Sequence, residues 1–233
     1  MRLIITRPVE DVPPLKAKLE SMGHSAVSAP LLKIVPRSAV NIPALDYQLI
    51  CATSANALKH VKSIAGMEAI PVLAVGPQSL AAAKDRGFKH CAAHGGDMHG
   101  LGAHITANFN PQDGPILYLS GAETSADLQA LLQARGFTVQ RAIIYDAVIQ
   151  TPDDIAQTVA KADGVLLYSP RSARIWCDII SQAKLEKPAA IPIYFCLSEN
   201  VARVLPQHWQ KHVAKTPDEA AILALLDQSP RTS

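Results

Sequence analysis

The sequence predicts an α/β protein with two similar parallel-sheet domains, one inserted in the other and joined to it by a two-stranded crossover. Short runs of apolar, often β-branched residues alternate with helical patterns along the whole chain. Several runs are apolar throughout, which is typical of strands that are covered on both faces. Two sets of segments also resemble each other, in permuted order. Alternating strands and helices form parallel sheets built from βαβ units, and the repeat indicates two such sheets.

Helices are predicted where an amphipathic stretch with a basic or polar last turn meets a glycine. Residues 12–22, 79–86 and 125–135 have this pattern and are followed by a glycine in each case. Glycine adopts the left-handed conformation that ends many helices. The strands predicted between and around these helices are residues 3–6, 24–28, 48–52, 71–75, 116–119, 139–145, 164–168, 191–196 and 211–214.

The internal repeat predicts how the domains are nested. The front end of one copy stands at the N-terminus, whereas its back end follows residue 150. We therefore expect a discontinuous domain of residues 1–29 and 152–233, and an inserted flavodoxin-like domain of residues 37–145, linked by residues 30–36 and 146–151. A ligand cleft is expected between hinged domains of this kind. The matched segments are 3–23 with 117–136, 46–57 with 163–173, 70–76 with 191–197, and 97–101 with 218–222.

Composition narrows the class of function. A net charge of +2, with scattered basic residues and 5% aromatic residues, does not favour binding to nucleic acid. The apolar run at the N-terminus is too short for a signal peptide or a membrane span. The four cysteines lack CxxC spacing, and we expect reduced thiols in a cytoplasmic protein.

Candidate binding residues follow the predicted strands, because ligands of parallel sheets gather at the carboxyl ends of the strands. Backbone N–H groups and helix dipoles at those ends bind carboxylates or phosphates. The alternative is that the hydroxyl residues only cap their own helices. The candidates are Thr6, Arg7, Thr53, Ser54, Asn56, Gly76, Ser79, Ser120, Gly121, Ser169, Arg171, Ser172 and Asn200. Tyr145 ends a predicted strand at the second crossover, where its hydroxyl would emerge at the domain junction.

Several other chemistries lack their signatures. No GxSxG, Walker A or GxGxxG motif follows a predicted strand, which disfavours hydrolases, P-loop proteins and dinucleotide-binding enzymes. The histidines show no spacing typical of a metal site. We therefore expect neither a metal nor an organic cofactor.

A series of short motifs follows the predicted strands in a fixed order. The motifs are Thr6-Arg7-Pro8, Thr53-Ser54-Ala55-Asn56-Ala57, Val75-Gly76 followed by Ser79, the predicted strand that ends at Tyr145, and Tyr168-Ser169-Pro170-Arg171-Ser172-Ala173. In this order they resemble the uroporphyrinogen-III synthase family over nearly the whole chain. In the segment 197–202 the chain departs from the family, which usually has a Gly followed by a Thr-Ala pair there.

The resemblance implies a cofactor-free lyase that cyclises hydroxymethylbilane to uroporphyrinogen III. The terminal pyrrole ring would be inverted and water lost, in the synthesis of haem, sirohaem or chlorophyll-type tetrapyrroles. Tyr145 would assist the loss of hydroxide, and Tyr168 joins the residues that would contact the substrate. We expect a monomer whose partner is this small molecule, with transient contact to the preceding enzyme of the pathway and none to membranes.

Two other interpretations of the sequence remain open. A non-catalytic two-lobed module could bind a small anionic ligand in the same way, and only an activity assay separates it from an enzyme. A transferase that acts on sugar phosphates or nucleotides should show a phosphate-binding Gly loop or a metal-binding acidic pair at a strand end, and neither is present.

Overall fold

The computed structural model describes residues 1–124, 127–185 and 192–227, and these form two compact units. The first unit comprises residues 1–33 and 148–233, and the second comprises residues 34–147. The chain passes between the units within the segments 30–36 and 146–151, where the sequence predicts crossovers.

The elements follow the alternation that the sequence predicts. The strands are β1 (Arg2–Ile5), β2 (Ser25–Ser28), β3 (Leu32–Pro36), β4 (Leu49–Ala52), β5 (Val72–Ala74), β6 (Cys91–Ala93), β7 (Ile116–Gly121), β8 (Val139–Ile149), β9 (Gly164–Leu167), β10 (Ile193–Cys196) and β11 (Lys211–Val213). The α-helices are α1 (Val12–Ser21), α2 (Ala55–His60), α3 (Pro77–Asp85), α4 (Met98–Asn108), α5 (Leu128–Gln133), α6 (Ile155–Ala160), α7 (Pro170–Gln182), α8 (Glu199–Ala202) and α9 (Glu219–Ala224).

The strand orders of the two sheets confirm the permuted repeat. The first unit has the order β2-β1-β9-β10-β11, and the second has β3-β8-β7-β4-β5-β6. If β7 and β8 are equated with β1 and β2, and β4, β5 and β6 with β9, β10 and β11, both sheets have the flavodoxin-like order 2-1-3-4-5. The second sheet carries β3 as an additional edge strand. The predicted class, two similar parallel-sheet α/β domains, is confirmed.

The central strands are buried on both faces, as their continuous apolar runs predict. In β1, Ile4 packs in a cluster with Trp176, whereas Leu3 and Ile5 pack on the opposite face with Phe195. The second sheet is built in the same way. Ile50 of β4 lies in one cluster and its neighbours on either side lie in another. Helices on both faces of each sheet therefore enclose it.

The predicted helix stops are confirmed by the backbone. Gly23, Gly87 and Gly136 have φ angles of 79°, 93° and 87°, in the left-handed region that glycine enters without strain. Some boundaries differ from those predicted. Helix α1 ends at Ser21 rather than residue 22, α3 spans Pro77–Asp85 rather than 79–86, and α5 spans Leu128–Gln133 rather than 125–135. The prediction that a strand ends at Tyr145 is wrong, because β8 continues to Ile149 where it pairs with β3. Residues 125 and 126, and residue 191 of the predicted strand 191–196, lie outside the described residues.

Two strands are absent from the sequence prediction because little of their surface is buried. In β3 only Ile34 is fully buried, and two prolines flank or end it. It pairs with β8 at the edge, where Arg37 N–H donates to Ile144 C=O at 2.9 Å and Gln150 N–H donates to Leu31 C=O at 2.9 Å. The residue numbers in these two bonds change in opposite directions, so β3 and β8 are antiparallel. Strand β6 is Cys-Ala-Ala, half-buried throughout and without a β-branched residue.

The four cysteines form no disulfide with one another, and Cys51 and Cys196 are buried. Burial raises the pKa of the Cys196 thiol to about 12 and also raises the pKa of Cys51, so both are uncharged core side chains near neutral pH. Among the described residues, no helix is long and apolar enough to cross a membrane.

We predict that a fragment of residues 34–147 folds alone and is more stable to urea than a fragment of residues 37–145. The shorter fragment loses Ile34, which packs in the core beside Ile144, and the pairing of Arg37 with Asp146 at 2.8 Å. Burial of one Ile side chain stabilises by about 1.5–3 kcal/mol, so the urea midpoint should fall. Equal midpoints would show that β3 is not part of the second unit.

Candidate functional site

The strand order places one candidate ligand-binding edge in each unit. In a 2-1-3-4-5 sheet the chain leaves the first and third strands toward opposite faces, and ligands bind outside the carboxyl ends of the strands at that point. In the first unit this is the pair β1 and β9, which end at Ile5 and Leu167. In the second unit it is β7 and β4, which end at Gly121 and Ala52. Most of the predicted site residues directly follow these strands.

A β-bulge aims Tyr145 at the edge of the second unit. Ser120 lies opposite Ile143, but the next residue, Gly121, lies opposite Tyr145, so Ile144 is an extra residue in β8. Without it, Tyr145 would share a face with Ile143. Because of the bulge, Ile144 and Tyr145 both pack in the same apolar cluster. Bulges often re-aim one side chain beside a functional site.

Gly121 provides the space for the Tyr145 ring. A Cβ atom on Gly121 would lie 2.7 Å from Cζ and 3.0 Å from the hydroxyl oxygen of Tyr145. The Tyr145 side chain is 8% exposed, so its ring is confined between this backbone and the core. The absence of a side chain at Gly121 therefore has a local physical cause, which is close approach to an aromatic ring. The predicted substrate contact of Gly121 stays a prediction.

Ser54 receives the Tyr145 hydroxyl. Tyr145 Oη donates to Ser54 Oγ at 3.1 Å, and the N–H of Asn56 donates to the same oxygen at 3.2 Å. Ser54 is thus the N-cap of α2, as the capping alternative predicts, and it also contacts Tyr145. A hydroxyl has two acceptor positions and one proton. With both acceptor positions filled, the Ser54 proton is left for a third partner.

The remaining residues of this edge differ in exposure. Thr53 Oγ1 lies 3.0 Å from Tyr118 Oη, and burial raises the pKa of the Tyr118 phenol. Asn56 carries a buried Oδ1 that has no hydrogen-bond partner among the described residues. Ser120 is fully buried, and its Oγ accepts from Arg141 Nε at 2.8 Å. Ser120 therefore lies beneath the edge and supports it.

Gly76 and Ser79 lie at the start of α3. Gly76 is the N-cap residue and supplies no side chain, and Pro77 follows it. Ser79 lies in the first turn and is 5% exposed. The first turn of α3 therefore has no capping side chain, unlike that of α2.

At the edge of the first unit Thr6 directly follows β1 and is hydrogen-bonded to the neighbouring strand. Its hydroxyl donates to the carbonyl of Leu166 at 2.7 Å, and the side chain is 2% exposed. A hydroxyl used in this way ties β1 to β9 and gives the edge a fixed shape.

Arg7 is held by two carboxylates that the sequence analysis did not include. Its guanidinium donates to Asp11 at 2.9 Å and to Glu219 at 3.1 Å, and Cζ lies 5.0 Å from the centre of the Tyr168 ring. Lys18 also donates to Glu219, at 2.5 Å. The spacing of Arg7 and Asp11 was a possible sequence signal, whereas Glu219 is 212 positions away from Arg7 in the chain.

Tyr168, Ser169 and Ser172 form the rest of this edge. Ser169 is the N-cap of α7 and accepts from the N–H of Ser172 at 3.0 Å, as the capping alternative predicts, and the two hydroxyl oxygens lie 2.9 Å apart. The Tyr168 hydroxyl is buried without a hydrogen-bond partner in the described chain, and burial raises its pKa. Arg171 is half-buried in the first turn of α7, and Asn200 is exposed in the short helix α8.

A cavity of about 720 Å³ lies in the second unit and includes none of the predicted site residues. It is lined by residues 40–47, 60–63 and 65–67, together with Ile70 and Ile144. In the described ranges 1–124, 127–185 and 192–227, no group of three or more His, Cys, Asp or Glu side chains is placed to hold a metal ion.

The chain matches one family of known proteins and is similar to several solved structures. A family described as uroporphyrinogen-III synthase HemD matches residues 13–224. The uroporphyrinogen-III synthetase of Helicobacter pylori 26695 has a TM-score of 0.69 and 17% identity, with 98% of this chain and 99% of that chain covered. A mutant uroporphyrinogen III synthase of Thermus thermophilus has a TM-score of 0.57 and 13% identity, with 98% of each chain covered. No curated protein sequence matched the chain.

We predict that Gly121→Ala destabilises the chain, whereas Gly76→Ala does not. The new methyl group at position 121 would overlap the confined Tyr145 ring, and overpacking of this kind costs about 1–3 kcal/mol. At Gly76 a Cβ meets nothing within 4 Å, and its φ of −161° suits any residue. Urea unfolding of both variants measures the difference. Equal stability would mean that Gly121 does not confine Tyr145.

Proposed function

The chain belongs to the uroporphyrinogen-III synthase family, and from that premise we propose that Tyr145 and Ser54 deliver the proton that lets the substrate hydroxyl leave. The family match confirms the resemblance found in the sequence. The chain is therefore a lyase of tetrapyrrole biosynthesis, which cyclises hydroxymethylbilane to uroporphyrinogen III. The chemistry of that reaction indicates which groups the site must supply.

The reaction needs an acid at the leaving hydroxyl group and a fixed substrate shape elsewhere. The C–O bond of the terminal hydroxymethyl group breaks as its oxygen takes a proton from the acid, which gives water and an azafulvene in its cationic, N-protonated form. The substituted carbon of the last pyrrole ring then attacks to form a spiro intermediate, which fragments and closes again with that ring inverted. The final closure releases a proton from the carbon that forms the last bond. One group can therefore serve the whole reaction, if it donates a proton when the C–O bond breaks and accepts a proton when the last bond forms.

The hydrogen bond from Tyr145 to Ser54 suits this proton transfer. Tyr145 Oη donates to Ser54 Oγ at 3.1 Å, and Asn56 N–H occupies the second acceptor position of that oxygen. Ser54 can therefore donate its own proton to the leaving oxygen while it receives one from Tyr145. This single arrangement carries the proposal. The bulge in β8 and the missing Cβ of Gly121 hold the donor in place.

The loops and helix starts at the strand ends are proposed to bind the acetate and propionate groups of the substrate. The first turn of α3 receives no hydrogen bond from its N-cap residue, Gly76. Its backbone N–H groups and positive dipole end favour carboxylates. We keep as proposed substrate contacts Thr53, Asn56, Gly76 and Ser79 in the second unit, with Arg7, Tyr168, Ser169, Arg171, Ser172 and Asn200 in the first.

We propose that three residues support the site without contacting the substrate, namely Thr6, Ser120 and Gly121. The Thr6 hydroxyl and the Ser120 hydroxyl are buried and bonded within the protein, and Gly121 is covered by the Tyr145 ring. They shape the edges that the substrate meets.

We further propose that the enzyme works as a cytoplasmic monomer. The free thiols support a reducing compartment. A reactive linear tetrapyrrole also closes without an enzyme to the symmetric type I isomer, so a short transfer from the preceding pathway enzyme would favour the type III product.

Activity is tested by adding freshly made hydroxymethylbilane to the purified protein under anaerobic conditions. We expect the type III isomer as the main product, because the enzyme must invert one ring before the substrate closes by itself. Chromatographic separation of the isomers gives the result. If only the type I isomer forms, as it does in buffer alone, the chain is a binding module and the catalytic proposal is wrong.

Tyr145→Phe should lower kcat on the order of 10²-fold, because it removes the acid while the ring and its packing remain. Ser79→Ala is the matched variant and removes one hydroxyl from the first turn of α3. A hydrogen bond to a charged group is worth about 1.5–3 kcal/mol and a neutral one less, so Ser79→Ala should cost about tenfold or less.

Steady-state kinetics and urea unfolding of these two variants provide the check. Near-wild-type rates for Tyr145→Phe would leave Tyr145 as a core residue only. Complete loss of activity in a folded Ser79→Ala variant would instead give Ser79 a chemical role that the proposal does not contain.

A further inference from the structure

Arg141 is a half-buried cation on β8 whose guanidinium donates hydrogen bonds to the end of the neighbouring strand, β7. Its Nε donates to Ser120 Oγ at 2.8 Å, and its Nη2 donates to the carbonyls of Gly121 at 2.9 Å and Ala122 at 3.0 Å. These three acceptors belong to consecutive residues at the carboxyl end of β7. One rigid, planar guanidinium therefore fixes the chain over three residues.

The segment that Arg141 holds is the one that positions Tyr145. The register between β7 and β8 shifts between Ser120 and Gly121, so regular ladder pairing is interrupted there. The Gly121 backbone also lies against the Tyr145 ring. A strand end at a bulge lacks the full support of sheet hydrogen bonds, and the Arg141 donors supply part of what is missing.

The same guanidinium also lies over an aromatic ring of β7, which links it indirectly to the loop after β4. Its Cζ lies 5.9 Å from the centre of the Tyr118 ring, and the Tyr118 hydroxyl lies 3.0 Å from Thr53 Oγ1. Thr53 precedes Ser54, which accepts from Tyr145. Arg141 is thus connected to both sides of the pair formed by Tyr145 and Ser54 without touching either residue through a described hydrogen bond.

We infer that Arg141 is a positioning residue, which holds the end of β7, and through Tyr118 the loop after β4, so that the Tyr145 hydroxyl stays on Ser54. This inference rests on the proposed role of Tyr145. It predicts an effect on the chemical step rather than on substrate binding, because Nε and Nη2 of Arg141 donate to groups within the protein. Small displacements of a reacting group are costly in rate.

The experiment is a double-mutant cycle between Arg141→Met and Tyr145→Phe in the full chain. Arg141→Met keeps an unbranched apolar stem and removes all donors. We expect kcat to fall about tenfold with KM changed less than about twofold, and in the Tyr145→Phe background we expect Arg141→Met to cost less than about twofold. Such non-additivity is what a residue that acts through Tyr145 produces.

Arg86→Met is the matched control. Arg86 also donates to backbone carbonyls of the second unit, those of Val61 and Lys62, but it caps the end of α2 that is remote from Ser54. Its replacement should lower the urea midpoint while kcat stays within about twofold of wild type. If Arg141→Met does not fold, Arg141→Lys replaces it. Lysine keeps the charge but not the fork of donors, so kcat should still fall and KM should stay.

The outcomes separate the two proposals. If Tyr145→Phe lowers kcat but Arg141→Met costs the same in both backgrounds, the positioning inference is overturned and the role of Tyr145 stands. An effect of Arg141→Met on KM alone, restored by Arg141→Lys, would make Arg141 a binding cation and also overturn the inference. A Tyr145→Phe variant with wild-type kcat overturns both.

Discussion

Because β1 lies between β2 and β9, and β7 lies between β8 and β4, the chain leaves the two middle strands of each sheet toward opposite faces. No helix can then cover the carboxyl ends of those strands, since the helices diverge from that point. Every feature of the candidate site depends on this divergence. It leaves Ser54 and Tyr145 accessible to each other in one unit, and it leaves Arg7, Tyr168 and Ser169 together in the other.

The two equivalent edges have become chemically different. The edge of the second unit is built from neutral hydroxyls, a phenol and a backbone bulge, with its arginine turned toward carbonyls. The edge of the first unit contains ion pairs, in which the charges of Arg7 and Lys18 are balanced by Asp11 and Glu219. A repeat that keeps its strand order therefore does not keep the same chemistry at its edges. The proposed proton transfer therefore belongs to the neutral edge, and the charged edge is proposed to serve only in recognition of the substrate.

The sequence was sufficient for features that arise from local pattern and burial. Continuous apolar runs predicted the central strands, glycines predicted the helix ends, and similarity between segments predicted the permuted order. Ser54 and Ser169 were also recognisable as residues that follow strands. The sequence was insufficient where a contact joins distant residues or where little surface is buried. Glu219 contacts Arg7 across 212 positions, and the half-buried strand β6 has no β-branched residue. The β8 bulge arises from a register shift of one residue, which leaves no mark in composition.

The long sequence separation within the first sheet has a consequence for synthesis. The Thr6 hydroxyl bonds to Leu166 across 160 positions, and β1 pairs with β9 rather than with any strand of the inserted unit. Chains elongate at about 5–20 residues per second, and N-terminal parts generally fold first. Here β1 and β2 leave the ribosome early but must wait roughly 7–27 s at that pace for β9. The inserted unit, which comprises residues 34–147, can fold during the delay. The apolar side chains of β1 therefore stay without their final packing partners on the nascent chain until β9 has been made.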